Sequence, residues 1–534
     1  MKRNARRFLP LLIAALSLGL FFTGCATVPR HFEREASFAL EHTHATALGK
    51  IGESPASGHP GLSGFSLLNE GRSAFLARMA LAGMAERSLD VQYFILQPDM
   101  TGSILVAHLI EAARRGVRVR LLIDDLNAGG YEFGLRALDA CPNIEVRLYN
   151  PFGKHLMSKL GRGLEFVGSF NRLNHRMHNK LFIADNQVAL IGGRNIADSY
   201  FGADPAYNFR DFDFFSVGPV VRDFSASFDE YWNSAWAIPI RAMYSSRPSA
   251  SEIAGSFSKL KVHIAAHPEY PYKSPAGHSE KLEILNRFRD QLVWAEAKVA
   301  ADSPGKNKEP RSHRITAMLK EFLGNARREV LIVTPYLVPS DSGALREMLA
   351  NLRSRGIATC MLTNSLGSTD LVSAHAGYAK YREVLVEGGV ELHEMRPDAE
   401  SRALYIAGGG PASVMGLHGK AAVVDCAFVF IGTFNFDQRS ANINTEVGVL
   451  VHSPELAQKL ASAVAIDLQG QNSWRVGLAS ECDPGLKDRK ETRDLAWIAE
   501  EEGRRTVVTH EPGSSRGRLL LRSLMGLIPI DSQL

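Results

Sequence analysis

The sequence predicts an α/β protein of two similar lobes, each a mixed β-sheet flanked by helices, sharing one cleft. Three observations carry this. A strand–helix–glycine–strand unit occurs twice, and a short polar motif also occurs twice, both at an interval of 240 residues. The chain of 534 residues, 45% hydrophobic and 22% charged, is long enough for two large domains at about 100–200 residues each. Its 8% aromatic content, with 24 Pro and 46 Gly, is that of an ordinary globular protein.

The chain opens with a removable leader. Lys2, Arg3, Arg6 and Arg7 precede the apolar run FLPLLIAALSLGLFF and then Thr23-Gly24-Cys25. That run is too short for a comfortable membrane span but suits the core of a signal peptide. The small pair before Cys25 resembles the lipobox of bacterial lipoproteins, where Cys25 would be lipidated and residues 1–24 removed. Phe22 stands where leucine is usual, and an ordinary signal peptide ending near a cysteine is the alternative. By the same resemblance Ala26 implies a lipid-anchored protein on the periplasmic face of a Gram-negative outer membrane. Four of the 61 Lys and Arg lie in the leader, so the remaining 57 meet 57 Asp and Glu. A neutral mature chain argues against nucleic acid as the partner, since bulk binding needs a basic surface. A local basic cleft stays open. Cys141, Cys360, Cys426 and Cys482 are scattered, with no CxxC and no adjoining His cluster, so no metal site is expected. Buried free thiols are the default, and a disulfide stays open.

Residues 25–70, rich in His, Gly and Ser, read as a tether and lead-in. In the first lobe, 71–245, SLDVQYFIL is a strand, SILVAHLIEAARR a helix capped by Gly116, and VRVRLLIDD a strand. This βαβ unit implies a largely parallel, buried sheet. Residues 246–310 are a connector with some helix in EKLEILNRFRDQLVWA. The second lobe, 311–475, repeats the unit as EVLIVTPYLV, GALREMLANLRSR, Gly356 and IATCMLTNS. A C-terminal extension, 476–534, ends in the apolar and basic stretch RGRLLLRSLMGLIPI. Packing as a last core helix is the favoured reading there, with docking at a membrane interface as the alternative.

The repeated motif is HNKLFIADNQVALIGGRN from His178 and HGKAAVVDCAFVFIGTFN from His418. Both fit H-x-K-x4-D-x6-G-[GT]-x-N, pairing His178 with His418, Lys180 with Lys420, Asp185 with Asp425 and Asn195 with Asn435. Each reads as strand–turn–strand, turning at Asp185-Asn186 and Asp425-Cys426. Residues i and i+2 of a strand share a face, so each His and Lys project together. Asp185 and Asp425 count among the site residues by their place in the motif. They sit at the far turn, however, and read as turn-stabilising. One copy is equally well a surface His–Lys pair; two copies at a common offset indicate duplication of a working site.

These motifs resemble the HKD signature of the phospholipase D superfamily, whose two halves meet at one active site. GGRN, GTFNFDQRS, NTEVGVLV and LNHRMHNK most resemble the cardiolipin synthase branch, particularly its type C members. The resemblance covers roughly 70–475. It implies that His178 attacks phosphorus to form a phosphohistidine while His418 protonates the departing alcohol, although the near-equivalent motifs allow the reverse. Lys180, Lys420, Asn195 and Asn435 would hold the phosphoryl oxygens. An acid on the second ring nitrogen helps such a histidine, and Asp211 and Glu446 are the candidates, each eight residues before a proline. Asp213 competes with Asp211.

This chemistry requires neither metal nor cofactor. The implied activity is phosphatidyl transfer that makes cardiolipin from membrane phospholipids. Phosphatidylglycerol is the expected lipid, with phosphatidylethanolamine as a further candidate, at a membrane surface and with any accessory protein unknown. The alternative is a phospholipase D that releases phosphatidic acid; a nuclease or a non-catalytic scaffold ranks lower. Gly513-Ser514-Ser515-Arg516-Gly517 matches a serine hydrolase pattern, but no histidine follows it, so it reads as a loop. Asp124-Asp125 ends a strand and reads as a phosphate-site or capping pair rather than a metal site.

Overall fold

The computed structural model describes residues 28, 32, 34–56, 58–153, 159–244, 246–306, 309–339, 344–407, 413–479, 495–528 and 533. The leader, Cys25 and Cys482 lie outside these residues.

The protein is α/β with two similar lobes, and 18 strands join into one continuous sheet. From its outer edge inward, the first half runs Ala237–Pro239, Ile144–Tyr149, Arg118–Asp124, Ser88–Tyr93, Leu181–Ala184, Val188–Gly192, Asp213–Val217 and Ser63–Leu68. The second half continues with Val293–Ala301, Val447–His452, Phe428–Gly432, Ala421–Val424, Glu329–Val333, Ala358–Asn364 and Val390–Met395. Ser473–Leu478, Leu495–Glu501 and Arg504–Val508 extend it to the other edge. In each half, three strands connected through helices are parallel and the motif hairpin joins them antiparallel, so both sheets are mixed.

The halves meet where Ser63–Phe65 pairs antiparallel with Val293–Ala295. These two central strands lie in the stretches read as lead-in and connector. Gly64 permits the contact, because a Cβ there would stand 3.0 Å from Val217 and 3.1 Å from Trp294. A shared apolar core continues between the lobes, including Leu181, Ile191, Leu417 and Val429. Each fully buried Leu or Val there contributes roughly 1.5–3 kcal/mol.

Local signals explain the elements. Asp99 caps helix Met100–Arg114 by accepting from Gly102 N, and Gly116 ends it at φ +93°. Gly356 occupies the matching position at φ +69°. Both motif hairpins turn through two residues with positive φ, Asp185-Asn186 and Asp425-Cys426, the backbone of a tight type I′ connection.

Two expectations need correction. Helix Arg516–Gly526 has no buried residue, so it is not a core helix. Cys141, Cys360 and Cys426 are free, but Cys426 is exposed because it occupies a hairpin tip, and the other two are only half-buried.

Candidate active site

The two hairpins bring the motif residues to the seam between the lobes. Backbone pairing aligns them: His178 N donates to Thr445 O at 2.9 Å, and His418 N donates to Arg210 O at 2.8 Å. Each histidine is therefore carried by one lobe and fastened to the other.

The acid partners are also exchanged. His178 Nδ1 lies 2.9 Å from Glu446 Oε2, and His418 Nδ1 lies 2.8 Å from Asp211 Oδ2. A carboxylate at Nδ1 holds the ring hydrogen there and leaves the Nε2 lone pair free, the tautomer a nucleophile needs. Phe94 stands edge-on to the His178 ring, with centroids 5.2 Å apart, and Tyr200 does the same to His418 at 4.9 Å.

Lys180 Nζ donates to His178 O at 2.7 Å, and Lys420 Nζ donates to His418 O. Burial, with Lys180 and Lys420 nearby, holds His178 well below the usual imidazole range. Burial and the same two lysines lower His418 likewise. Burial, reinforced by Lys420, lowers Lys180, while burial draws Lys420 down to about 8 against the opposing pull of Asp211 and Glu446. Glu446 is pushed up to about 7 by burial, opposed by Lys180 and by hydroxyl donors. Two neutral imidazoles beside two lysines that, among the described residues, make no salt bridge form a cradle for a phosphodiester.

The halves are not identical. Thr433 Oγ1 and Ser440 Oγ donate to Glu446 at 2.5 and 2.8 Å. At the position matching Thr433 stands Gly193, where a Cβ would come within 2.2 Å of Asp211 Oδ1. The shorter acid reaches His418 only because this glycine leaves room. Asn195 Oδ1 accepts from Ile95 N at 3.1 Å, while its buried Nδ2 makes no regular hydrogen bond among the described residues, with the Tyr200 hydroxyl close by. Asn435 N is held by Ser440 Oγ at 3.2 Å, and its buried Oδ1 is unpaired.

Asp185 and Asp425 are not brought to the histidines. Asp185 accepts from the backbone N–H groups of Glu86, Arg87 and Ser88 at 2.7–3.2 Å. Asp425 does the same for Arg327, Arg328 and Glu329. Asp213 is occupied by Arg78 and Arg194. Asp124 clamps Arg176 and accepts from Met177 N at 2.8 Å, which sets the entry to the first motif; Asp125 accepts from Phe152 N. Ser515 caps helix Arg516–Gly526 through Arg518 N.

Sequence reasoning missed Thr433, Ser440, Phe94 and Tyr200. Thr433 and Ser440 stood inside the quoted GTFNFDQRS, but nothing in one chain marks their hydroxyls as aimed at Glu446. The aromatic pair had no signal at all.

The chain is similar to known proteins of one family. The family described as cardiolipin synthase, PLD-like domain, matches residues 79–232 and 319–466. Cardiolipin synthase C of Escherichia coli strain K12 is 36% identical over 479 residues, 89% of this chain and 96% of that protein. The major cardiolipin synthase of Bacillus subtilis strain 168 is 26% identical over 406 residues, 75% of this chain and 68% of its own. The crystal structure of phosphatidylserine synthase from Haemophilus influenzae superposes with a TM-score of 0.52 at 12% identity, covering 91% of this chain and 100% of that one. With both family segments and both motif histidines meeting at one seam, the chain belongs to the phospholipase D-like cardiolipin synthase family.

Proposed function

We propose that this protein is a phosphatidyltransferase that makes cardiolipin from phosphatidylglycerol. The carrying observation is the pair of neutral, carboxylate-backed imidazoles across the lobe seam, flanked by Lys180 and Lys420. His178 Nε2 attacks phosphorus, and the bond to the head-group oxygen breaks. His418, protonated once the anionic phosphodiester is bound, gives that oxygen its proton and glycerol leaves. A hydroxyl of a second phosphatidylglycerol then attacks phosphorus and passes its proton to His418, and the P–N bond breaks. The phosphodiester is conserved throughout, so no activated nucleotide is consumed. Lys180, Lys420 and the Asn195 amide stabilise the developing charge.

The N-terminal sequence supports an anchor at Cys25 on the periplasmic side of an outer membrane. Among the described residues no helix is long and apolar enough to cross a membrane.

The test is mass spectrometry of phosphatidylglycerol vesicles, with and without phosphatidylethanolamine, incubated with the full chain and with His178→Ala and His418→Ala. Cardiolipin from the intact protein alone supports transfer, and a requirement for phosphatidylethanolamine would make it a co-substrate. Phosphatidic acid without cardiolipin would mean that water resolves the intermediate, a hydrolase.

A further inference from the structure

Two helices carry their amphipathicity inside out. In helix Arg516–Gly526 two arginines face the protein: Arg518 Nε donates to Leu366 O at 2.8 Å, and Arg522 reaches Glu511 at 2.5 Å. The leucines face outward, with Leu520, Leu524 and Leu527 exposed by 63%, 53% and 82%. In helix Lys159–Gly168, Glu165 is buried against Gly153 N and Arg162 is bound to Asp125, while Leu160, Leu164 and Val167 are exposed by 76%, 60% and 77%. A surface helix of a water-soluble protein turns its apolar stripe to the core. Here hydrogen bonds, buried at Glu165 and part-buried at Arg162, Arg518 and Arg522, fix each helix in the opposite sense, so neither stripe can turn inward without breaking them.

Both helices border the cleft. Arg518 holds the loop at Leu366 and Thr369, and between them Ser368 O accepts from Tyr207 OH at 2.5 Å. Tyr207 meets Phe209, which lies 5.1 Å from the His418 ring. On the other side, helix Lys159–Gly168 leads through Phe170–Leu173 to Asn174, four residues before His178. Asn174 Nδ2 donates to Gln533 Oε1 at 2.8 Å, and Arg439 Nε donates to Gln533 O at 3.2 Å.

We propose that these two apolar stripes insert together into the surface of an anionic phospholipid bilayer and set the cleft over its substrate. The proposal rests on the phospholipid reading of that cleft. Charge is compatible with this occupant: Arg516 is exposed at the start of the helix, and residues 516–528 contain no acid that would repel an anionic surface. Position favours it. A second copy seated on both stripes would cover the approach between them, whereas a bilayer supplies through that approach the head groups the cleft takes. Leucines at i, i+4 and i+7 on a basic helix are the pattern of an interfacial element.

The test uses the full chain and two paired variants, Leu520→Glu/Leu524→Glu and Leu160→Glu/Leu164→Glu. Turnover of dioleoyl-phosphatidylglycerol in vesicles should fall about ten-fold or more in each. Turnover of dihexanoyl-phosphatidylglycerol, dispersed as monomers, should stay within about two-fold because it needs no docking. Equal losses on both substrates, or none on vesicles, would overturn the proposal. A separate readout needs no activity: Leu524→Trp should shift its emission to the blue on phosphatidylglycerol vesicles and be quenched by brominated acyl chains. If the unaltered protein turns over neither lipid but the tryptophan is quenched, docking stands and the catalytic reading falls. An unquenched tryptophan, with a dimer that the Leu→Glu changes dissolve, would assign the stripes to a second copy.

Discussion

His178 and Glu446 lie 268 residues apart in the chain, yet Nδ1 and Oε2 are 2.9 Å apart and both side chains are buried. His418 and Asp211 repeat the relationship in the opposite sense. Each lobe thus supplies the imidazole of one half-site and the acid of the other. Neither lobe alone holds a backed histidine, which couples the chemistry to the seam.

Glu446→Gln should therefore abolish most turnover without unfolding the chain. The amide keeps the shape and the two hydroxyl contacts, but it no longer selects the tautomer with a free Nε2. A loss of about 10²–10⁴-fold in kcat is expected, with circular dichroism unchanged. Asp211→Asn should match it. A loss confined to KM would show that the acids only shape the binding pocket.

Gly193→Ala should act through Asp211. A methyl at that position would overlap Asp211 Oδ1, and the displaced carboxylate would leave His418 unbacked. The expected result is at least about a ten-fold fall in kcat. The same methyl at Thr433, as Thr433→Val, meets no clash but removes one hydroxyl from Glu446. That change should instead move the acid limb of the pH profile upward, since the donor favours the ionised carboxylate.

The pH dependence has a definite sign. Lys420, drawn down to about 8, loses its charge above that pH, and the cradle then binds a phosphodiester less well. Glu446, pushed up to about 7, loses its charge below that pH. The value of kcat/KM should rise to about pH 7, fall above about pH 8, and lose its alkaline limb in Lys420→Arg.

Stability should run against function at the same lysine. A buried cation whose folded pKa is depressed from 10.5 to about 8 makes the protein less stable as pH falls across that interval, with the loss complete below about 8, because the native state resists the charge. Lys420→Met should therefore stabilise the empty protein at neutral pH, by about 0.5–2 kcal/mol, while eliminating activity. Inorganic vanadate should raise the Tm of the unaltered protein by mass action and leave that of Lys420→Met unmoved. Destabilisation by Lys420→Met would show the lysine to be structural.

How much of this the sequence discloses depends on the range of the interaction. The hairpins at Asp185-Asn186 and Asp425-Cys426 are local, and turn chemistry between β-type runs reveals them. The capping glycines Gly116 and Gly356 are local too. The exchange of acids is not: Asp211 and Glu446 are 235 residues apart rather than 240, and their partners are chosen by strand pairing across the seam. Ser63–Leu68 was illegible as a central strand because SGFSLL is buried on both faces and shows no alternation. The C-terminal helix misled for another reason. An apolar stripe has the same period whether it faces a core or a membrane, and only the anchoring of Arg518 and Arg522 tells which way it points.

Asp185 offers the sharpest separation of motif from mechanism. It belongs to the repeated signature, yet seven residues of extended chain and turn, roughly 20 Å, part it from His178. Its carboxylate accepts from three consecutive backbone N–H groups, and it sits in a turn at φ +52°. Asp185→Ala should cost about 1–3 kcal/mol in urea unfolding, from the stranded donors and the left-handed backbone together. The folded fraction should keep its kcat within about two-fold, since the change does not touch the phosphorus cradle. Asp425→Ala should cost less, because Asp425 is only partly buried and water can replace it at Arg327 and Arg328. A kcat loss in Asp185→Ala comparable to that of Glu446→Gln, measured at equal folded fraction, would return this aspartate to the reacting centre.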